Sequence, residues 1–224
     1  MGAHRTAALG ALTFGGAAAW RAAPTRHAWQ TGAVSSGPTS STALFIDAGD
    51  VVLRKAREHD REALIAHVTD PDVRAHLGGP RPRDTAARHL DEAGVTAVTD
   101  APGSFVIADK PTDAFLGTVS LTRRGMHHQG HVRPTGEELE LSYTLDRLVW
   151  GRGLAYQAAI AVLRSAAAEL PDEPVIVVTQ TANVRSLNLA RRLGFVTAST
   201  FTEFGAEQTL AVVNLHRHRL QRAT

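Results

Sequence analysis

The stretch Leu148-Val149-Trp150-Gly151-Arg152-Gly153-Leu154-Ala155 joins a strand-like pattern to a helix-like one, with two glycines flanking an arginine at the junction. A strand-to-helix turn aims backbone N–H groups that the helix leaves unbonded at whatever lies beyond its N-terminus, and the helix dipole adds positive potential there. Gly151 and Gly153 take away the Cβ atoms that would hold a phosphate off those amides. Ala155 is nearly as small, and Arg152 adds a cation. Taken alone, the same spacing is met by a tight turn that needs glycine conformations. The third glycine of a dinucleotide fingerprint is missing, and no Gly-Lys-Ser/Thr follows as in a P-loop.

Cysteine chemistry is excluded outright, since the 224 residues contain no Cys: no disulfide, thiolate zinc site or cysteine nucleophile is available. His127, His128 and His131 lie close together but without carboxylates in the same stretch or a definite helical scaffold, which favours a mobile loop over a metal site. Only two of the 24 basic residues, Lys55 and Lys110, are lysine. That arginine bias comes with no basic run interleaved with aromatics, so nucleic acid is not an expected partner.

The elements that must position these residues follow from periodicity. Residues 50–56 read as an opening strand, followed by a short helix after His59-Asp60 and a second over Thr85–Ala93 with Asp84 as its cap. Strands are expected at Ser104–Ala108 and Ala114–Leu121, joined by a turn at 109–113, and a long loop runs from Thr122 to Glu137. Leu139, Leu141, Tyr143 and Leu145 alternate with Glu138, Glu140, Ser142 and Thr144, the pattern of a strand with one polar face. A helix over Leu154–Glu169 stops at Pro171, and Val175-Ile176-Val177-Val178 suits a strand covered on both faces. Asn183 caps a helix that closes at Arg192-Leu193-Gly194, and two strands around Gly205 finish the domain, with His216 and His218 expected to face solvent. The order implies a mixed α/β (α+β) domain with helices on the faces of one sheet.

Three segments in this order, Glu140-Leu141-Ser142-Tyr143, the glycine-flanked turn, and Asn183-Val184-Arg185-Ser186 running on to Arg191-Arg192-Leu193-Gly194-Phe195, resemble the GNAT superfamily of N-acetyltransferases. The nearest likeness is to the ribosomal-protein alanine N-acetyltransferase type, and it covers about residues 50–216. The resemblance implies a central, mostly antiparallel mixed sheet in which the strands at 139–145 and 174–179 splay apart to admit acetyl-CoA. It implies that Gly151, Arg152, Gly153, Leu154 and Ala155 hold the pyrophosphate, that a strand N–H near Thr144 or Leu145 binds the thioester carbonyl, and that Asn183 fixes the pantetheine arm or a water. Acetyl transfer needs a neutral amine and a proton for the departing thiolate. Glu140 is the candidate base, the alternative being a solvated strand carboxylate. The tyrosine that many family members carry late in the following helix is replaced by Ala190, which leaves Ser186 as the candidate acid, the alternative being a surface residue. Trp150 departs from the Gln or Arg usual at the start of the motif.

The resemblance therefore implies direct acetyl transfer to a primary amine, on a protein N-terminus or a small molecule, without a metal. An inactive acyl-CoA-binding module of the same fold is the competing reading. Acceptor specificity would lie in the helices at 59–93, the 122–137 loop and the last hairpin. Residues 1–46 carry Arg5, Arg21 and Arg26 and no acid, are rich in Ala, Gly, Ser and Thr, and lack sustained periodicity. They are expected to be a disordered extension before a domain at 47–224: a tail, a targeting segment, or sequence upstream of the true start. No later stretch suits a membrane span, and the expectation is a cytoplasmic monomer or homodimer.

Overall fold

A computed structural model describes residues 40–219. Eight strands form one sheet in the order β1-β2-β3-β4-β5-β6-β8-β7. They are β1 (Phe45–Ala48), β2 (Val51–Arg54), β3 (Ser104–Asp109), β4 (Phe115–Arg123), β5 (Leu139–Leu145), β6 (Pro174–Gln180), β7 (Val196–Glu203) and β8 (Ala206–Asn214). Every neighbouring pair is antiparallel except β5 and β6. The helices are α1 (Arg61–Thr69), α2 (Arg83–Ala93), α3 (Leu154–Glu169) and α4 (Val184–Arg192).

α3 and α4 lie on one face. Four of the seven alanines of α3 (Ala158, Ala159, Ala166 and Ala167) are fully buried beside Val162 and Leu163, and their small side chains let the helix settle closely on Leu53, Phe105, Val119 and Leu141. Burial of this kind contributes about 25 cal/mol per Å² of apolar surface, so the helix is held by packing more than by propensity. On the other face, α1 and α2 cover a separate cluster of Leu64, Ile65, Val68, Leu90, Val106 and Ala108. In the apolar run of β6 the successive residues Val175, Ile176 and Val177 are all buried, so both faces of the strand are covered there.

Several details differ from the sequence reading. The chain joins the fold before residue 47: Ser41 and Thr42 hydrogen-bond the Glu169 carboxylate at the end of α3, and β1 pairs with β2 as a hairpin. The expected boundary at 46/47 thus falls inside a strand, which the weak alternation of residues 43–48 concealed, and the rest of the expected extension, residues 1–39, lies outside the described residues. α2 begins at Arg83 with Pro82 before it, so Asp84 sits in the first turn and is not the cap. His216 and His218 belong to a single helical turn, Leu215–His218, not to β8. His218 is buried, and His216 meets the Leu170 carbonyl at 2.9 Å and takes its N–H to Asp172. β7 is an edge strand exposed on both faces along most of its length.

Candidate active site

β5 and β6 pair at only two positions, Leu139 with Val175 and Glu140 with Ile176. Beyond them β5 continues to Leu145 paired with β4 alone, and β6 continues to Gln180 paired with β8 alone. The two strands part as the sequence reading expects, and the parting begins at Glu140.

Past the end of β5, Gly151 and Gly153 both take φ +78°. That is the left-handed region, costly for a residue with Cβ, so the turn itself requires glycine. A Cβ built at either position would meet no atom within 4 Å, so the turn is also open on that side. Gly153 caps α3, and its carbonyl accepts from Tyr156 and Gln157. No protein acceptor among the described residues takes the N–H groups of Gly151, Arg152, Gly153, Leu154 or Ala155. The Leu154 side chain is buried in the core, while Arg152 is exposed. Both readings of the glycines therefore hold together: the turn needs their conformation, and the result is an open row of donors with an arginine beside it.

Trp150 has a role the motif departure did not suggest. Its indole N–H donates to the Leu145 carbonyl at 2.8 Å, tying the turn to the end of β5. The Arg185 guanidinium stacks over its ring at 4.7 Å, which brings a second cation to the turn from α4. At Leu145 the strands approach so closely that a Cβ on Gly117 would strike the Thr144 carbonyl.

On the α4 side of the gap, Asn183 accepts from the Ser186 N–H and donates to Thr179, so its amide both caps α4 and ties it to β6. Ser186 is half-buried and faces across the gap instead of outward. The Tyr143 hydroxyl reaches it from β5, 2.9 Å from Ser186 Oγ and 3.2 Å from the Ser186 carbonyl. Burial pushes the phenol up to about 12, against a smaller opposing effect of the Ser186 hydrogen bond. Alternation had marked Tyr143 only as an apolar strand position, and the sequence carried no signal for its partner. Ala190 is a buried methyl in the core.

Glu140 points to the opposite face, and it is not a solvated carboxylate. It is 8% exposed and bonds the buried Arg124 at 3.0 Å. Arg124 also reaches Glu203 on β7 and the Gln129 carbonyl, and Glu203 meets His128 at 3.2 Å. Burial raises the Glu140 pKa above the usual carboxylate range, while Arg124 and His128 work in the other direction. Arg124 and Glu203 were not singled out in the sequence, because nothing in their local pattern distinguishes them from surface charges.

The loop after β4 is thereby tied over this face by hydrogen bonds. Glu138, fully buried, accepts from His131 at 2.7 Å and from the Val132 and Arg133 N–H groups. Burial opposes its charge, yet these bonds hold its pKa below the ordinary value. Among the described residues no group of three His, Asp or Glu side chains could hold a metal ion. Across the gap, residues 70–80 form the other rim: Arg147 lies 3.5 Å from Asp72, and His76 meets Gln180 at the end of β6.

A splayed pair of parallel strands, an open glycine turn at the N-terminus of a central helix and a capped second helix together define an acyl-coenzyme A transferase architecture. Comparison with known proteins carries this to a family. The sequence model of the acetyltransferase (GNAT) domain matches residues 50–196, and the chain belongs to this family, whose members use acetyl-CoA. The chain is an acetyltransferase. Solved structures with the same fold include a GNAT-family acetyltransferase from Bacillus anthracis, with TM-score 0.62 and 16% identity over 77% of this chain and 99% of that one. They also include a Salmonella typhimurium acetyltransferase that modifies the N-terminal serine of a 50S ribosomal subunit protein, at TM-score 0.56 and 16% identity over 75% of this chain and 98% of that one. A Vibrio cholerae spermidine N-acetyltransferase in complex with CoA and spermine has TM-score 0.56 and 14% identity over 75% and 98%.

Proposed function

We propose that the chain transfers an acetyl group from acetyl-CoA directly to a primary amine, on a protein N-terminus or a small molecule. The observation that carries this reading is the parting of β5 from β6 beyond Glu140 and Ile176, which opens toward the unbonded N–H groups at Gly151–Ala155. Backbone donors there, with Arg152 and Arg185 beside them, suit a diphosphate. The edge of β5 near Leu145 offers backbone to the thioester, and Asn183 holds α4 against the gap. With no Cys to carry the acetyl group, transfer is direct.

The amine must shed a proton before it attacks. Glu140 lies where the gap begins, and its raised pKa makes it a stronger base than an exposed carboxylate. Arg124 keeps it oriented, and a water beside it would relay the proton. On the other side of the gap the departing thiolate needs a proton, and the hydroxyl that the sequence offers for it, Ser186, faces the gap from α4. The acceptor enters over the face rimmed by residues 70–80 and 124–137, where Ser120, Thr122 and Ser142 add hydroxyls on the Glu140 side of the sheet. That polar floor suits an amine. We place the enzyme in the cytoplasm and leave its assembly as monomer or homodimer.

The engagement of Glu140 by Arg124 favours one competing reading, a module that binds acyl-CoA without catalysis. Thermal unfolding with acetyl-CoA, CoA and NAD, followed by turnover with amines and peptides, separates the two. A ligand at about a hundred times its dissociation constant stabilises the fold by roughly 2.7 kcal/mol. We expect both CoA forms to raise Tm, NAD to leave it unchanged, and free thiol to appear with an amine present. A rise without thiol release from any amine leaves the binding module; no rise with either CoA form removes the coenzyme reading.

A further inference from the structure

The Tyr143 phenol is not used in the reading above, yet it is the group that spans the gap. Tyr143 stands on β5 three residues past the last position paired with β6, and its hydroxyl crosses to α4 to meet Ser186 at two oxygen atoms. Both contacts fit a phenol that donates: the Ser186 carbonyl can only accept, and Ser186 Oγ can do either. A second hydroxyl is thus held within hydrogen-bond reach of the one expected to meet the sulfur.

We propose that Tyr143 is the proton donor to the departing thiolate, with Ser186 as the hydrogen-bond partner that positions it. This rests on the acetyl-transfer reading and names its acid. An alcohol gives up its proton far less readily than a phenol, whose unperturbed pKa is about 10, so of the two hydroxyls the phenol is the stronger acid. Its ordinary pKa already keeps the phenol protonated at neutral pH, and burial raises it further, so the proton is in place to be given. In the step itself the amine nitrogen bonds to the acetyl carbon and the carbon–sulfur bond breaks. The sulfur keeps the electron pair and takes the Tyr143 proton. The phenolate then regains the proton that the amine lost, through solvent, so amine and thioester become amide and thiol with nothing left over.

The test compares full-length wild type, Tyr143→Phe and Ser186→Ala with two acyl donors: acetyl-CoA, and its selenoester analogue, whose selenolate departs without needing a proton. With acetyl-CoA, Tyr143→Phe should lower kcat by about 100-fold, the usual scale for losing a general acid, while acetyl-CoA affinity stays within about twofold. With the selenoester the loss should shrink to less than about tenfold, because the step no longer uses the proton. Ser186→Ala, which keeps the phenol, should cost less than Tyr143→Phe. An unchanged kcat in Tyr143→Phe, the same loss with both donors, or a larger loss in Ser186→Ala would overturn the assignment. Wild type that binds CoA but turns over no amine would overturn the transferase reading, and this assignment with it. A wild type that turns over normally isolates the question to Tyr143.

Discussion

Glu140 is governed by two opposed influences, burial and Arg124, and their balance can be read in the pH dependence of activity. Arg124 lowers the carboxyl pKa, so removing its charge moves that pKa up. Arg124→Gln should therefore shift the acid limb of kcat/KM to higher pH, since a larger share of Glu140 stays protonated and unable to accept. A limb that moves down or stays still would show that Glu140 is not the base. His67 offers a separate check on stability. It is buried on α1, its ring nitrogen 2.8 Å from Thr144 Oγ1, and burial lowers its pKa from 6.5 to about 4. A depressed histidine pKa means that the unfolded chain binds the proton first as pH falls. Stability is then fully present above about 6.5 and is lost progressively toward 4. Between pH 7 and pH 5 the wild type should lose about 2 kcal/mol more than His67→Gln in urea unfolding. Equal losses would place the His67 pKa near its ordinary value.

At the scale of elements, the glycine turn keeps two demands apart. The backbone at Gly153 is left-handed but the space around its missing Cβ is empty, so Gly153→Ala should cost about 1 kcal/mol in stability from conformation alone. If equilibrium unfolding shows no cost while CoA affinity falls, the glycine serves ligand approach only. What the sequence made legible was whatever local pattern determines. The alternation of 139–145, the run at 175–178 and the Asn183 cap each reported its element, and the order of motifs reported the family. Long-range partners were not legible. Alternation shows that Glu138 and Glu140 share a face with Ser142 and Thr144, but not that a folded-back loop buries both carboxylates under Arg124 and His131. Tyr143 was hidden for the opposite reason: an amphipathic side chain satisfies an apolar pattern with its ring, and its hydroxyl leaves no periodic trace. β1 was missed because Ala43 and Leu44 run without a break into Phe45, and its identity rests on pairing with β2.

For the whole molecule, where the chain joins the sheet decides how much of it folds independently. A chain starting at Ser40 retains the Ser41 and Thr42 bonds to Glu169 and all of β1, whereas one starting at Asp47 loses those bonds and the Phe45-Ile46 half of the strand. The second should unfold at a clearly lower urea midpoint, and coincident midpoints would show that this edge of the sheet contributes nothing. The same bonds place residues 41 and 42 against the end of α3, and the turn at Leu215–His218 lies against the residues that follow that helix. It is fastened there through Leu215 to the Glu173 carbonyl and His216 to Leu170 and Asp172. Both ends of the described segment therefore meet at the foot of α3, while the glycine turn sits at its head, 16 residues and about 24 Å away. A short peptide could join the two ends and new termini be opened elsewhere, as in a circular permutant. A fluorescent protein or surface anchor joined at residue 40 or 219 would hang from the side of the domain remote from the glycine turn.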